Sequence, residues 1–245
     1  RQSEAWAAQG QLRAKIGNHG IHKVERMAGN IGLIEIRYFH RPEWGGETAV
    51  AALHVLANTD ALIFDVRRCT GGYPDMVQLV STYLLGGEPV HLLSIYWRDE
   101  DATRQYWTLP HVPGPSLADK PLYILTGKET FSGGENLAYD MQARGRALIV
   151  GEQTDGGAHP GASYRLTPHL EASIPIGLPT HPLTGGNWEG TGVTPDIPVP
   201  SERALSVAYK MALGEQIERL GKPPPGPLRL LLAEARVAYK RLADA

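Results

Sequence analysis

Short, continuously apolar runs alternate along this chain with helix-forming stretches, and that alternation restricts the fold more than any other feature. Ile31 to Tyr38 is β-branched and alternating, Glu47 to Ala57 is an Ala/Leu/Val helix, Ala61 to Val66 (ALIFDV) is an apolar strand, and Met76 to Leu85 is helical. Parallel strands need a crossover between them and a helix usually supplies it, so this order predicts an α/β fold around a largely parallel sheet. The pattern resumes with a strand at Leu122 to Leu125, a helix at Asn136 to Arg144 and a strand at Ala147 to Val150. Between the two halves, His91 to Trp97 and Arg104 to Leu109 are aromatic and β-branched, and are expected to form a protruding β-hairpin.

Beyond this alternation the texture changes. Gly156 to Pro200 is rich in Gly and Pro, with short strands at Ser163 to Leu166 and Ala172 to Ile176, and is expected to supply loops lining a surface. Ser201 to Leu220 is a helix, ended by the stiff spacer Lys222-Pro223-Pro224-Pro225-Gly226-Pro227. A last amphipathic helix, Leu228 to Ala243, offers Leu228, Leu231, Leu232 and Ala235 for packing, either onto the same chain or onto a second subunit.

Two strand-to-helix turns carry the chemistry. After LYILT comes Gly127-Lys128-Glu129-Thr130-Phe131-Ser132-Gly133-Gly134-Glu135, which puts Ser132 near a helix start. There the unpaired backbone N–H groups and the positive end of the helix dipole face any charge that develops on an attacked carbonyl. The simpler role for such a serine is an N-cap. After ALIFDV comes Arg67-Arg68-Cys69-Thr70-Gly71-Gly72, a glycine pair whose lack of Cβ lets the backbone approach a substrate. Because parallel strands point their carboxyl ends the same way, both turns should open on one crevice. Gly72, or its neighbour Gly71, and Gly133 would then provide two amide donors to an oxyanion.

Composition removes several alternatives. A formal net charge of -2, from 24 basic and 26 acidic residues, leaves no basic field for nucleic acid. The single cysteine, Cys69, excludes an intrachain disulfide and a cysteine-rich metal site, and the apolar runs fall short of the roughly 20 residues of a membrane span. No metal or organic cofactor is implied. With 245 residues, 42% of them hydrophobic, the chain can bury one large core. It opens Arg1-Gln2-Ser3 without a methionine or a signal pattern, which reads as a soluble piece processed or cut from something longer and leaves its compartment open.

Four ordered segments carry a resemblance: FDVRRCTGG (Phe64 to Gly72), TGKETFSGGE (Thr126 to Glu135), RALIVGEQTDGGAHPG (Arg146 to Gly161) and NWEGTGVTPDIPV (Asn187 to Val199). Together they resemble the catalytic core of the tail-specific, or C-terminal-processing, serine peptidases, and most of all the branch of the tricorn protease core and the interphotoreceptor retinoid-binding protein modules. The resemblance runs over residues 18 to 213 and implies a crotonase- and Clp-protease-like spiral of ββα units. It divides the chain into an N-terminal remnant (1–25), a catalytic core (26–220) and the spacer with its helix (221–245), and leaves no segment for a PDZ-like domain.

What the resemblance implies for the site matches the reading of the turns: Ser132 as nucleophile, with the amides of Gly72 and Gly133 as oxyanion hole. The family's basic lysine is absent, since Gly157 follows Thr154-Asp155-Gly156. The branch that uses a histidine and a glutamate instead makes Glu189 the second catalytic candidate. The histidine lacks a clear match; His19 and His22 precede the first core strand, and His159 follows the Gly156-Gly157 loop, so His159 and His22 are the candidate bases. The expected partner is a peptide or protein substrate, and self-assembly into a homo-oligomer has its local hint in the last helix. The competing function is a noncatalytic carrier of hydrophobic ligands such as retinoids or fatty acids, which would need Ile95, Tyr96, Trp97, Tyr106 and Trp107 to line a closed apolar pocket. A crotonase-type acyl-thioester enzyme lacks its signature here and ranks last.

Overall fold

Strands that are apolar along their whole length need cover on both faces. In the computed structural model, which describes residues 2–221 and 226–243, the first half of the chain runs α1 (Gln2–Ile16), β1 (Ile21–Met27), β2 (Ile31–Ile36), α2 (Pro42–Val55), β3 (Ala61–Asp65), α3 (Pro74–Leu85), β4 (His91–Trp97) and β5 (Ala102–Trp107). It continues with β6 (Leu122–Thr126), α4 (Gly133–Ala143), β7 (Leu148–Gly151), β8 (Gly161–Thr167), β9 (Leu170–Pro175), β10 (Gly177–Thr180), β11 (Ile197–Pro198), α5 (Ser201–Leu220) and α6 (Leu228–Ala243). Six strands form one sheet in the order β1-β2-β3-β6-β7-β11. All neighbours are parallel except β1 and β2, so the α/β expectation holds.

The two-residue period of the strands sorts the core into two layers. Leu62 and Phe64 of β3 and Leu122 and Ile124 of β6 face α2, α3 and α4, where they meet Leu53, Val80 and Leu137. Ala61 and Ile63, and Tyr123 and Leu125, face the other way onto α5 and α6. Ala204, Ala208 and Ala212 repeat every four residues along α5, and their small side chains are fully buried against the sheet. Both α2 and α3 start with proline at the first turn, where its missing N–H costs nothing.

The central hairpin forms at the expected place, with β4 paired to β5. β10 closes the other edge of β4, so Leu92, Leu93 and Ile95 join the core while β5 faces solvent. β8 and β9 make a second hairpin whose side chains are mostly exposed. The helix α1 and the strand β1 had no counterpart in the sequence reading: β1 alternates only weakly and α1 is nearly devoid of amphipathic character. Of the proline spacer, Lys222 to Pro225 lie outside the described residues. The last helix docks on α5, with Ala235 in the core layer beneath it and Leu232 also buried, while Leu228 is exposed. Among the described residues no helix is long and apolar enough to cross a membrane.

Candidate active site

Strands β3 and β6 are parallel neighbours in register, Asp65 beside Leu125, so the turns that follow them leave the sheet at the same end. The glycine pair is required by geometry. Gly71 and Gly72 have φ of +114° and +134°, and a Cβ on Gly72 would lie 2.2 Å from the carbonyl oxygen of Phe39, with which the loop forms a parallel bridge. A Cβ on Gly71 would come within 2.9 Å of Ser132 Cβ, and one on Gly133 within 3.1 Å of the Gly72 nitrogen. The two turns therefore press directly against each other. Gly72, Ser132 and Gly133 line one cavity of about 50 Å³, whose remaining wall is apolar, with Leu93, Ile95 and Trp188 among its residues, apart from Asn136.

Ser132 is half-buried, with φ 49° and ψ -109° at the N-terminus of α4. A non-glycine residue is uncommon at positive φ and persists only when its surroundings enforce it. The enforcing group is Glu135. Its carboxylate is fully buried and accepts four hydrogen bonds: from Ser132 N at 2.7 Å, Thr154 Oγ1 at 2.6 Å, Gly156 N at 2.7 Å and Gly157 N at 3.0 Å. The sequence reading did not single out Glu135. The Ser-x-x-Glu spacing of a capping box was the signal that could have found it.

Glu189 continues the same construction. Its Oε2 accepts Ala158 N at 2.7 Å and His159 N at 2.9 Å, and Trp188 Nε1 donates to Gly157 O at 3.1 Å. Four consecutive amides, from Gly156 to His159, thus point at two carboxylates, and Ala158 and Pro160 on that segment wall the Ser132 cavity. His159 Nδ1 lies 3.8 Å from Glu189 Oε2.

The other histidines sit elsewhere. His22 is exposed on β1 and lines a separate, charged pocket with Asp65, Arg67, Lys128 and Glu152, so the structure does not bring it to Ser132. His19 is half-buried in a left-handed conformation, and its Nδ1 has no hydrogen-bond partner among the described residues. His40, which the sequence reading passed over, follows Phe39 and shares a groove with Tyr73; burial and then the nearby His19 push its pKa down. Among the described residues no hydrogen bond joins Ser132 Oγ to an imidazole. His181 is buried with Asp140, Nε2 to Oδ1 at 2.9 Å, and Arg144 Nε donates to the same oxygen at 2.9 Å. Since the His181 Nδ1 accepts Leu183 N at 3.3 Å, its proton is on Nε2, and the pair anchors the loop that carries Pro179 and Trp188. Burial pushes the Cys69 thiol up to about 12, which removes it as a rival nucleophile.

The pocket required by a carrier does not form. Tyr96 and Trp107 are 38% and 41% exposed, and Trp107 stacks on His91. Ile95 does reach a cavity, but at about 50 Å³ it is far below the 300 Å³ or more of a site for a lipid-sized ligand.

The sequence model of peptidase family S41 matches residues 30–199. Carboxyl-terminal-processing peptidase 2, chloroplastic, of Arabidopsis thaliana is 26% identical over 147 residues, which is 58% of this chain and 27% of that protein. A carboxyl-terminal-processing protease of Picosynechococcus sp. is 33% identical over 89 residues, 36% of this chain and 21% of that protein. The chain thus spans about a quarter of the length of these curated relatives, at 27% and 21%. In fold it is similar to the solved photosystem II D1 C-terminal processing protease, with a TM-score of 0.55 at 22% identity over 70% of this chain and 43% of that one.

Proposed function

This chain belongs to peptidase family S41, and we propose that it is the catalytic core of a serine peptidase that cleaves peptides or protein termini through Ser132. Ser132 Oγ attacks the scissile carbonyl, and the amides of Gly72 and Gly133 hold the oxygen that becomes negative. Stabilisation of that kind works through donors fixed in advance, and the glycine turn packed on the serine turn is fixed in this sense. A hydroxyl needs a base to become nucleophilic. We assign the proton transfer to His159, on the loop that borders the cavity, with Glu189 holding the segment that carries it. The small apolar cavity favours a small apolar side chain next to the bond that is cut.

The observation that carries this reading is the convergence of Gly72, Ser132 and Gly133 on one cavity. Its test is labelling of the full-length protein with a serine-directed phosphonate, together with peptide cleavage. Both are expected in the native protein and absent in Ser132→Ala. A native protein that neither labels nor cleaves any peptide of a broad library overturns the reading. Replacing His159 with alanine should lower kcat by about 10²- to 10⁴-fold. Full activity in that variant would remove His159 from the role and leave Ser132 in place.

A further inference from the structure

A second and much larger concavity is reached along the chain from the Ser132 cavity, whose wall includes Gly72 and Pro74 on either side of Tyr73. It is a groove of about 870 Å³ formed by α1, the segment after β2 and the start of α2, and Tyr73 lines it one residue beyond the oxyanion amide of Gly72. Its walls are aromatic and cationic: Tyr38, Trp44 and Tyr73, with Arg13 and Arg41. Glu43 also lines the groove, which leaves one positive charge in excess on a chain whose own formal charge is -2.

Arg41 is the defining group. Its guanidinium stands 4.3 Å over the Tyr73 ring, it is exposed, and among the described residues no ion pair occupies it. A stacked guanidinium keeps its N–H edge free for an in-plane acceptor, and the acceptor with matching geometry is a carboxylate. His40 lines the same groove, and its lowered pKa keeps it neutral at pH 7, so the arginines supply the positive charge.

We infer that this groove is a second substrate subsite: it takes the stretch of peptide that leaves the Ser132 cavity past Gly72 and Tyr73, and selects a carboxylate there. The carboxylate comes from an Asp or Glu side chain or from the end of the peptide. This rests on the peptidase reading, because it needs a substrate anchored at Ser132 to give the groove its occupant. The cavity then selects the side chain beside the cut, and the groove selects charge further along.

The experiment compares matched peptides in which Asp replaces Asn at successive positions on either side of a cleaved bond, each made with a free-acid and an amidated end. The native protein should prefer the charged peptides roughly tenfold in kcat/KM, mostly through KM, because charge-assisted bonds are the stronger class. Arg41→Gln should bring that preference close to one. A side-chain preference marks Asp or Glu as the source, and a preference confined to the free-acid end marks the terminus. Ser132-dependent cleavage that ignores charge in every peptide overturns the subsite and leaves the peptidase standing. If no peptide is cleaved and Ser132 takes no label, the peptidase reading falls instead. Calorimetric binding of the same peptides to Ser132→Ala then decides the groove: an Arg41-dependent preference for the charged peptides keeps it as a carboxylate site, and its absence ends it.

Discussion

Gly72 concentrates three demands on one residue: a φ of +134°, contact with the Phe39 carbonyl, and an amide beside Gly133. Alanine keeps the amide, but its Cβ would meet the Phe39 carbonyl oxygen at 2.2 Å and push the loop out of place, so Gly72→Ala should lower kcat by up to about 10²- to 10³-fold, the cost of losing an oxyanion donor, with a smaller change in KM. The same variant measured for phosphonate labelling should label slowly; unaltered kinetics would remove the loop from the site. Glu135 makes a sharper case because it is buried with four donors aimed at it. Glu135→Gln keeps the shape but replaces one accepting oxygen with an NH2 group that faces donors. The cost should be about 1.5 to 3 kcal/mol, the range for charged hydrogen bonds, and a fall in Tm of roughly 3 to 12 °C in a chain of this size. Calorimetry checks it, and a Tm within a degree of the native value would contradict the hydrogen-bond pattern.

At the scale of elements, the site is a set of turns held by regular structure on one side and by loop clamps on the other. The parallel pairing of β3 and β6 fixes where the two turns start. The buried Asp140 on α4 clamps the loop of His181, with Arg144 completing the charge balance and also donating to the carbonyl of His91. Removing one member of such a buried group leaves the others uncompensated. Asp140→Ala should therefore cost about 3 to 5 kcal/mol and, because the loop carries Pro179 and Trp188, raise KM more than it lowers kcat. Steady-state kinetics beside a urea melt separates the two effects. On the opposite face, Ala208 is fully buried between α5 and the sheet, and Ala208→Leu should destabilise by about 1 to 3 kcal/mol through overpacking while leaving KM unchanged.

For the molecule as a whole, the same end of the sheet presents two different surfaces. The α3 and α4 side carries the small apolar cavity at Ser132, and the α5 side carries the charged pocket with His22, Arg67 and Glu152. Global stability should also report the histidine at the groove. Burial and His19 lower the pKa of His40 from its ordinary 6.5, so below about that pH the unfolded chain takes up a proton that the folded chain resists. Stability should therefore fall as pH is lowered from 7 to 5, and His40→Gln should flatten the slope of the urea midpoint against pH. An unchanged slope in the variant would assign the loss to other groups.

The architecture was legible because its signals are local. Strand runs such as ALIFDV alternate their faces every residue and helices follow at crossover length, so the layered α/β arrangement and the two converging turns follow from neighbours in the chain. Glycine at 71 and 72 and serine at 132 were visible for the same reason, since turn chemistry is written in a few adjacent residues. Partners separated by long stretches of chain were not legible. That Glu135 gathers amides from Gly156 and Gly157, that Glu189 holds Ala158 and His159, and that His22 faces another pocket depend on how loops from distant strands stack at one end of the sheet. Hydrogen bonds and charges act over a few ångströms in space, and only the tertiary structure decides which residues come that close.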